Sequence, residues 1–241
     1  MTIGVLGGMG PEASAEFHRQ LIRRNPAAGD QDHFRILVLD DPHIPDRTLF
    51  IQGTGQDPRP ALKERARQLE SYGASFIAIP CNTAHVFWED IQESVSIPVL
   101  HIVNITANSI PPDLKRIAVL STRGTSSGGL YSNALRCCGL EPFIVDETTQ
   151  HRVDSLIAGA KSGRDRASLV EGLQECCRAV ANSGAGGAIL GCTELGLLTD
   201  GWTPAFPLFD SLGILAEATL AEARRLEEAP PLRVERLKVK G

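Results

Sequence analysis

The chain has 241 residues, 42% hydrophobic and 22% charged, enough to bury a substantial core in one large or two small domains. A net charge of −5 gives no basic footprint for nucleic acid, and no apolar run approaches the about 20 residues of a membrane span. Met1 leads straight into apolar Ile3-Gly4-Val5-Leu6 without a basic leader, so the cytoplasm is the expected compartment and the six cysteines are expected as reduced thiols.

Strand-like and helix-like segments alternate along the whole chain. Short buried strands are predicted at 3–6, 34–39, 76–79, 99–102, 117–120, 143–145 and 188–190, each an apolar run bounded by Gly, Pro or Asp. The helix over 11–24 opens on Pro11, and that over 60–72 stops before Gly73. A helix over 167–182 ends before Gly184, and one over 211–227 follows Asp210 as a candidate N-cap. This alternation predicts parallel sheets covered by helices, an α/β fold.

The pattern also repeats. Val5-Leu6-Gly7-Gly8-Met9-Gly10 and Val119-Leu120-Ser121-Thr122-Arg123-Gly124 each lead from a strand into a helix. At closely similar distances downstream come Ile77-Ala78-Ile79-Pro80-Cys81-Asn82-Thr83 and Ala188-Ile189-Leu190-Gly191-Cys192-Thr193. Two doubly wound lobes related by a pseudo-twofold are expected: 1–106 with 209–227, and 107–208, followed by a flexible tail at 228–241. Ligands of such sheets gather at the carboxyl ends of strands, where both cysteines lie. A helix start beside each would favour the thiolate and lower a cysteine pKa from about 8.5. If the lobes face each other, Cys81 and Cys192 meet across one cleft. A matched pair of thiols suits racemisation, which removes a proton from one face of a carbon and returns one to the other.

Four stretches carry a resemblance: Gly4-Val5-Leu6-Gly7-Gly8-Met9-Gly10-Pro11, Pro42-His43-Ile44-Pro45-Asp46-Arg47-Thr48, Ile79-Pro80-Cys81-Asn82-Thr83-Ala84-His85 and Gly191-Cys192-Thr193-Glu194-Leu195. Together the chain resembles the aspartate/glutamate racemase superfamily, its aspartate racemase branch above all, from about residue 2 to 227. The glutamate racemase branch has a histidine after the second Cys-Thr, where this chain has Glu194. The resemblance implies racemisation of an acidic amino acid, aspartate first and glutamate second, without pyridoxal or metal. It also implies a homodimer with the active site between lobes. Cys81 and Cys192 match the catalytic acid/base pair, and Asn82 and Thr83 match residues that hold the α-carboxylate. Arg47 matches the arginine on the distal carboxylate, a task suited to its planar fork. Thr122 and Thr125 match the second-lobe loop; Met9, Gly10 and Thr193 complete the expected substrate contacts. Lys161 is the candidate for a further side-chain partner, expected near the helix before the second catalytic strand, where 157–163 is one residue shorter than the pattern. Glu194 is expected either to cap its helix or to orient Cys192.

Other features read as structural. His85 and His101 suit packing or hydrogen bonding, and the pairs Cys137-Cys138 and Cys176-Cys177 suit packing, with a redox role as the alternative. Gly7, Gly8 and Gly10 lack dinucleotide-loop spacing, and the cysteines lack zinc spacing. Asp40 and Asp41 are explained by the end of a strand. The rival functions are another superfamily reaction, such as maleate isomerisation or hydantoin racemisation, and a non-enzymatic amino-acid-binding protein.

Overall fold

The computed structural model describes residues 1–199, 201–204 and 206–228; the expected tail therefore lies outside the described residues apart from Glu228. Two parallel sheets carry the fold. In the first, β1 (Thr2–Gly7) runs between β2 (Arg35–Asp40) and β3 (Phe76–Ala78). In the second, β4 (Arg116–Leu120) runs between β5 (Glu141–Phe143) and β6 (Gly187–Leu190), and β7 (Leu208–Asp210) pairs with β6. Each sheet thus places its first strand centrally, its second on one side and its third on the other. The central β1 is buried along its whole length, which its unbroken apolar run anticipates.

The first-sheet helices are α1 (Pro11–Arg24), α2 (Arg47–Ile51), α3 (Arg59–Ser71), α4 (Trp88–Gln92) and α5 (Ile102–Asn108). After β4 come α6 (Arg123–Ser127), α7 (Leu130–Cys137), α8 (Glu147–Lys161), α9 (Arg166–Asn182), α10 (Thr193–Gly196) and finally α11 (Ser211–Glu228). Helices α1, α11, α5 and α7 pack in series. Their apolar residues share one buried cluster with Ile3 and Val5 of β1 and Ile117 and Ile189 of the second sheet. The two sheets are therefore joined by a common core. The outer faces have separate clusters: one contains Cys81 with Leu6 and Ile79, the other Cys192 with Leu190 and Leu195.

Several elements differ from the sequence reading. Over 99–102 only Val99 bridges to Ile77, because the His101 ring accepts the Asn104 N–H and starts α5 at Ile102. The segment at 34–39 is an edge strand, and Val38 is exposed. The expected strand at 143–145 lies at Glu141–Phe143, since Asp146 already caps α8. Strand β7 was missing from the reading. Residues 209 and 210, expected in the first lobe, pair with β6 in the second sheet, and the segment that packs on α1 and α5 begins at Ser211.

The turn after β1 is sterically fixed. Gly8 has φ +90°, and a Cβ there would lie 2.3 Å from the Asp41 carbonyl carbon. Its N–H donates to Ser14 Oγ at 2.9 Å. Gly8→Ala is expected to destabilise the fold by at least about 2 kcal/mol through strain and clash, measured as a lowered midpoint in thermal or urea denaturation.

Candidate active site

Residue 81 follows the end of β3, and residue 192 follows the end of β6, the corresponding strands of the two sheets. Both thiols are buried, at 5% and 6% exposure, and both line one small cavity of about 20 Å³. Arg47, Met9, Lys161 and Glu194 form part of its wall, and Asn82, Thr83, Thr122 and Thr193 another part. Such a space admits about one water molecule. A cleft of about 1070 Å³ adjoins it, and Met9, Asp46, Arg47, Lys161 and Glu194 line both spaces. Gly10 lies in the wider cleft, and Thr125 stands behind Thr83 outside the small cavity.

Neither cysteine has a long helix behind it. A 3-10 segment, Thr83–Phe87, follows Cys81, and the single turn of α10 follows Cys192. The expected thiolate-favouring helix start is therefore weak at both. At Cys192 the expectation reverses: burial and then the Glu194 carboxylate push its thiol well above the usual range. The thiol donates to Glu194 Oε2 at 2.9 Å, which the Thr193 hydroxyl also approaches at 3.3 Å. Of the two roles expected for Glu194, the contact with the Cys192 sulfur is the one formed. The other Glu194 oxygen, Oε1, is buried without a hydrogen-bond partner.

Cys81 is held through its backbone. The His85 ring contacts the Cys81 carbonyl through Nδ1 at 2.8 Å, and its Nε2 receives the Ile102 N–H at 3.2 Å. Burial, reinforced by neighbouring His101, lowers the His85 pKa to about 4. The ring is therefore neutral; with Nδ1–H donating to the Cys81 carbonyl, Nε2 accepts from Ile102, and the Leu100 carbonyl also lies 3.2 Å from Nε2. This fits the structural role read from sequence.

Buried polar side chains tie the segment after Cys81 to the second half of the chain. Asn82 Nδ2 donates to Ser211 Oγ at 2.9 Å, and Ser211 Oγ donates to the Leu190 carbonyl at 2.7 Å, two residues before Cys192. The Tyr131 hydroxyl donates to Asn82 Oδ1 at 2.6 Å, and burial raises its pKa so that it stays protonated. Thr83 Oγ1 lies 2.9 Å from the hydroxyls of both Thr122 and Thr125. Gly124 lets these loops close: a Cβ there would lie 2.8 Å from Thr48 Oγ1 and 2.9 Å from Thr83 Cγ2. Tyr131, Ser211 and Thr48 had no sequence signal for these roles.

Two cations face the cavity. Arg47 is buried; its NH1 donates to the carbonyls of Ile44 and Pro45, each at 3.1 Å, and its NH2 to Met9 at 3.5 Å. Its Nε is buried without a partner, leaving an Nε/NH2 edge suited to a carboxylate. Lys161 ends α8 and lies shortly before α9, the helix that precedes β6. Its Nζ is 3.9 Å from Glu194 Oε1. Burial opposes its charge, but Glu194 and the two thiols outweigh that, and its pKa is raised.

The remaining candidates stay outside. Asp41 pairs with Arg65 at 2.7 Å. Cys176 and Cys177 pack in the outer core of the second sheet, where burial pushes Cys177 up to about 12. Cys137 is exposed, contrary to the packing expectation, because it falls on the outer side of α7. Among the described residues, no group of three or more His, Cys, Asp or Glu is arranged to hold a metal, and no helix is long and apolar enough to cross a membrane.

The sequence profile described as Asp/Glu/Hydantoin racemase matches residues 6–219. The broad-specificity amino-acid racemase RacX of Bacillus subtilis is 32% identical over 225 residues, covering 91% of this chain and 96% of that protein. The structure of Picrophilus torridus aspartate racemase superposes with a TM-score of 0.83 at 30% identity, covering 92% of this chain and 94% of its own. Glutamate racemase RacE1 of Bacillus anthracis shares the fold, with a TM-score of 0.70 at 18% identity over 94% of this chain and 82% of its own.

The neutral His85 predicts a pH dependence of stability. Its folded pKa of about 4 lies below the ordinary 6.5. The stabilisation is therefore complete above pH 6.5 and is lost as the pH falls from there towards 4, on the order of 3 kcal/mol. Urea denaturation across this range should show that loss, and His85→Gln should flatten it relative to the unaltered chain.

Proposed function

This chain belongs to the Asp/Glu/hydantoin racemase family and is an amino-acid racemase, and from that premise we propose that it racemises an acidic amino acid through Cys81 and Cys192. The observation that carries the proposal is that both thiols line one cavity, each from the end of the corresponding strand in its sheet. Aspartate is the leading substrate and glutamate the second. Arg47 takes the distal carboxylate on its Nε/NH2 edge, where Nε has no partner. The α-carboxylate lies against Thr83, Thr122 and the second N–H of Asn82 Nδ2, with Thr193 and Met9 adjoining. Lys161 supplies a second cation to the same dicarboxylate.

The reaction needs one thiolate and one thiol at the start. Cys192, bonded to Glu194 and raised in pKa, suits the thiol, which leaves the part of the base to Cys81. Cys81 removes the α-hydrogen, Cys192 returns a proton to the opposite face, and the two protonation states are exchanged. Negative charge that develops on the α-carboxylate is met by Asn82 and the fixed hydroxyls, dipoles already oriented before reaction, with the Lys161 ammonium nearby. As proposed, the chemistry draws on side chains alone.

The broad specificity stated for RacX makes side-chain range the first quantity to measure. Incubated with L-aspartate in heavy water, the protein should lose optical rotation while deuterium enters the α-position. Cys81→Ser and Cys192→Ser should each lower kcat by about 10³-fold; unchanged turnover in either variant contradicts the two-thiol scheme. Arg47→Lys keeps the charge but loses the fork, and should raise KM for aspartate about tenfold in steady-state assays.

A further inference from the structure

The two-thiol scheme leaves one cavity-lining atom without a task. Glu194 is 3% exposed, and its Oε1 has no hydrogen-bond donor although it sits in the wall beside both cysteines. The Lys161 ammonium, at 3.9 Å, is too far to serve as one. The approach to Oε1 passes Gly10, where even a Cβ would stand 3.2 Å from it. A buried, unpaired carboxylate oxygen is costly unless something that binds supplies a donor.

An amino acid brings such a donor. On the reading above, its α-hydrogen faces the thiols, its distal carboxylate faces Arg47, and its α-carboxylate faces the threonine hydroxyls. The ammonium is left over. The other carboxylate in the wall, Asp46, is exposed and receives the Leu49 N–H through Oδ1 at 2.9 Å, and the threonine hydroxyls bond one another, which leaves Glu194 Oε1 as the buried acceptor without a donor. We propose that Glu194 Oε1 receives the α-ammonium of the substrate, while Lys161 turns from Glu194 to a substrate carboxylate. The incoming zwitterion thereby replaces a loose ion pair with two closer ones. A carboxylate at this place also keeps the amine protonated, and a cationic nitrogen makes the neighbouring C–H more acidic. Because every amino acid carries this ammonium, the assignment rests on the amino-acid reading but not on which side chain is preferred.

Titration calorimetry can isolate the ammonium. DL-aspartate is already at racemic equilibrium, so its binding involves no net reaction; succinate carries both carboxylates and no amine. Glu194→Gln should raise the Kd of DL-aspartate at least about tenfold, roughly 1.4 kcal/mol, and leave succinate binding equal or tighter, because a negative charge has gone. Retained succinate binding also establishes that the variant is folded. Equal weakening of both ligands, or no change in either, would overturn the assignment while leaving the two-thiol reading intact. On the unaltered protein, aspartate should bind at least about tenfold more tightly than L-malate, whose hydroxyl replaces the ammonium; parity would overturn the assignment as well. Failure of the unaltered protein to bind aspartate at all would instead defeat the acidic-substrate reading, and DL-alanine against propionate would then carry the same comparison, with loss of preference in Glu194→Gln expected and equal effects decisive against it.

Discussion

The proposed chemistry depends on holding two thiols, 111 residues apart in the chain, against one small space. Backbone topology takes each cysteine to the end of the third strand of its sheet. The finer fit comes from buried polar contacts between the halves. Asn82 is fixed at both ends of its amide, by Ser211 and Tyr131, and Ser211 is in turn tied to the strand that leads to Cys192. The three hydroxyls of Thr83, Thr122 and Thr125 close a second link. Satisfied networks of this kind are directional, and their loss leaves buried groups unpaired, so they specify one arrangement of the halves where apolar packing alone would allow sliding.

The symmetry of the strands does not extend to the chemistry around the sulfurs. Cys81 is positioned through its carbonyl by a neutral histidine, which puts no charge beside the thiol. Cys192 is bonded at sulfur to a buried carboxylate, which favours the protonated form. A pair of bases in identical surroundings would share a proton ambiguously. Here the surroundings differ, so on the two-thiol proposal the resting proton sits at Cys192, and the second half-reaction removes charge from beside Glu194. A cation at Glu194, whether Lys161 or a substrate ammonium, eases that return by partly cancelling the carboxylate field.

The sequence made the fold class legible because the buried strands are continuous apolar runs, and the duplication because the two cysteines recur at matching strand ends. Arg47 was legible through its loop motif, and its burial with an unpartnered Nε is consistent with that reading. What stayed hidden was long-range or short. Tyr131 and Ser211 meet Asn82 across 49 and 129 residues, and neither residue type announces such a bond locally. Strand β7 has three residues of intermediate exposure, too few to show a period. The helix starts behind the cysteines were overestimated, because an apolar sequence such as Thr83-Ala84-His85-Val86-Phe87 looks the same whether it winds as a 3-10 or an α turn. The sign of the Cys192 shift depended on Glu194 folding back onto the sulfur, a contact two residues away that spacing alone does not distinguish from a cap.

The enclosed volume sets the last constraint. A cavity of about 20 Å³ is smaller than any amino acid, while the cleft beside it is open and shares lining residues with it, Arg47, Lys161 and Glu194 among them. A substrate bound as proposed must therefore widen the inner space by moving some of the groups around it. Lys161 is the one suited to move: it ends a helix, remains partly exposed and is joined to Glu194 by a contact longer than a hydrogen bond. Arg47 is fixed by three carbonyls, and the cysteines are embedded in core. On the proposed reading, the firmly held parts of the site keep the reacting geometry, and the part that moves is a charge that exchanges one partner for another as the substrate arrives. Removal of water from around the α-carbon then follows from the small size of the inner space, and in a water-poor site the same few charges act on the carbanion with much greater effect than they would in solvent.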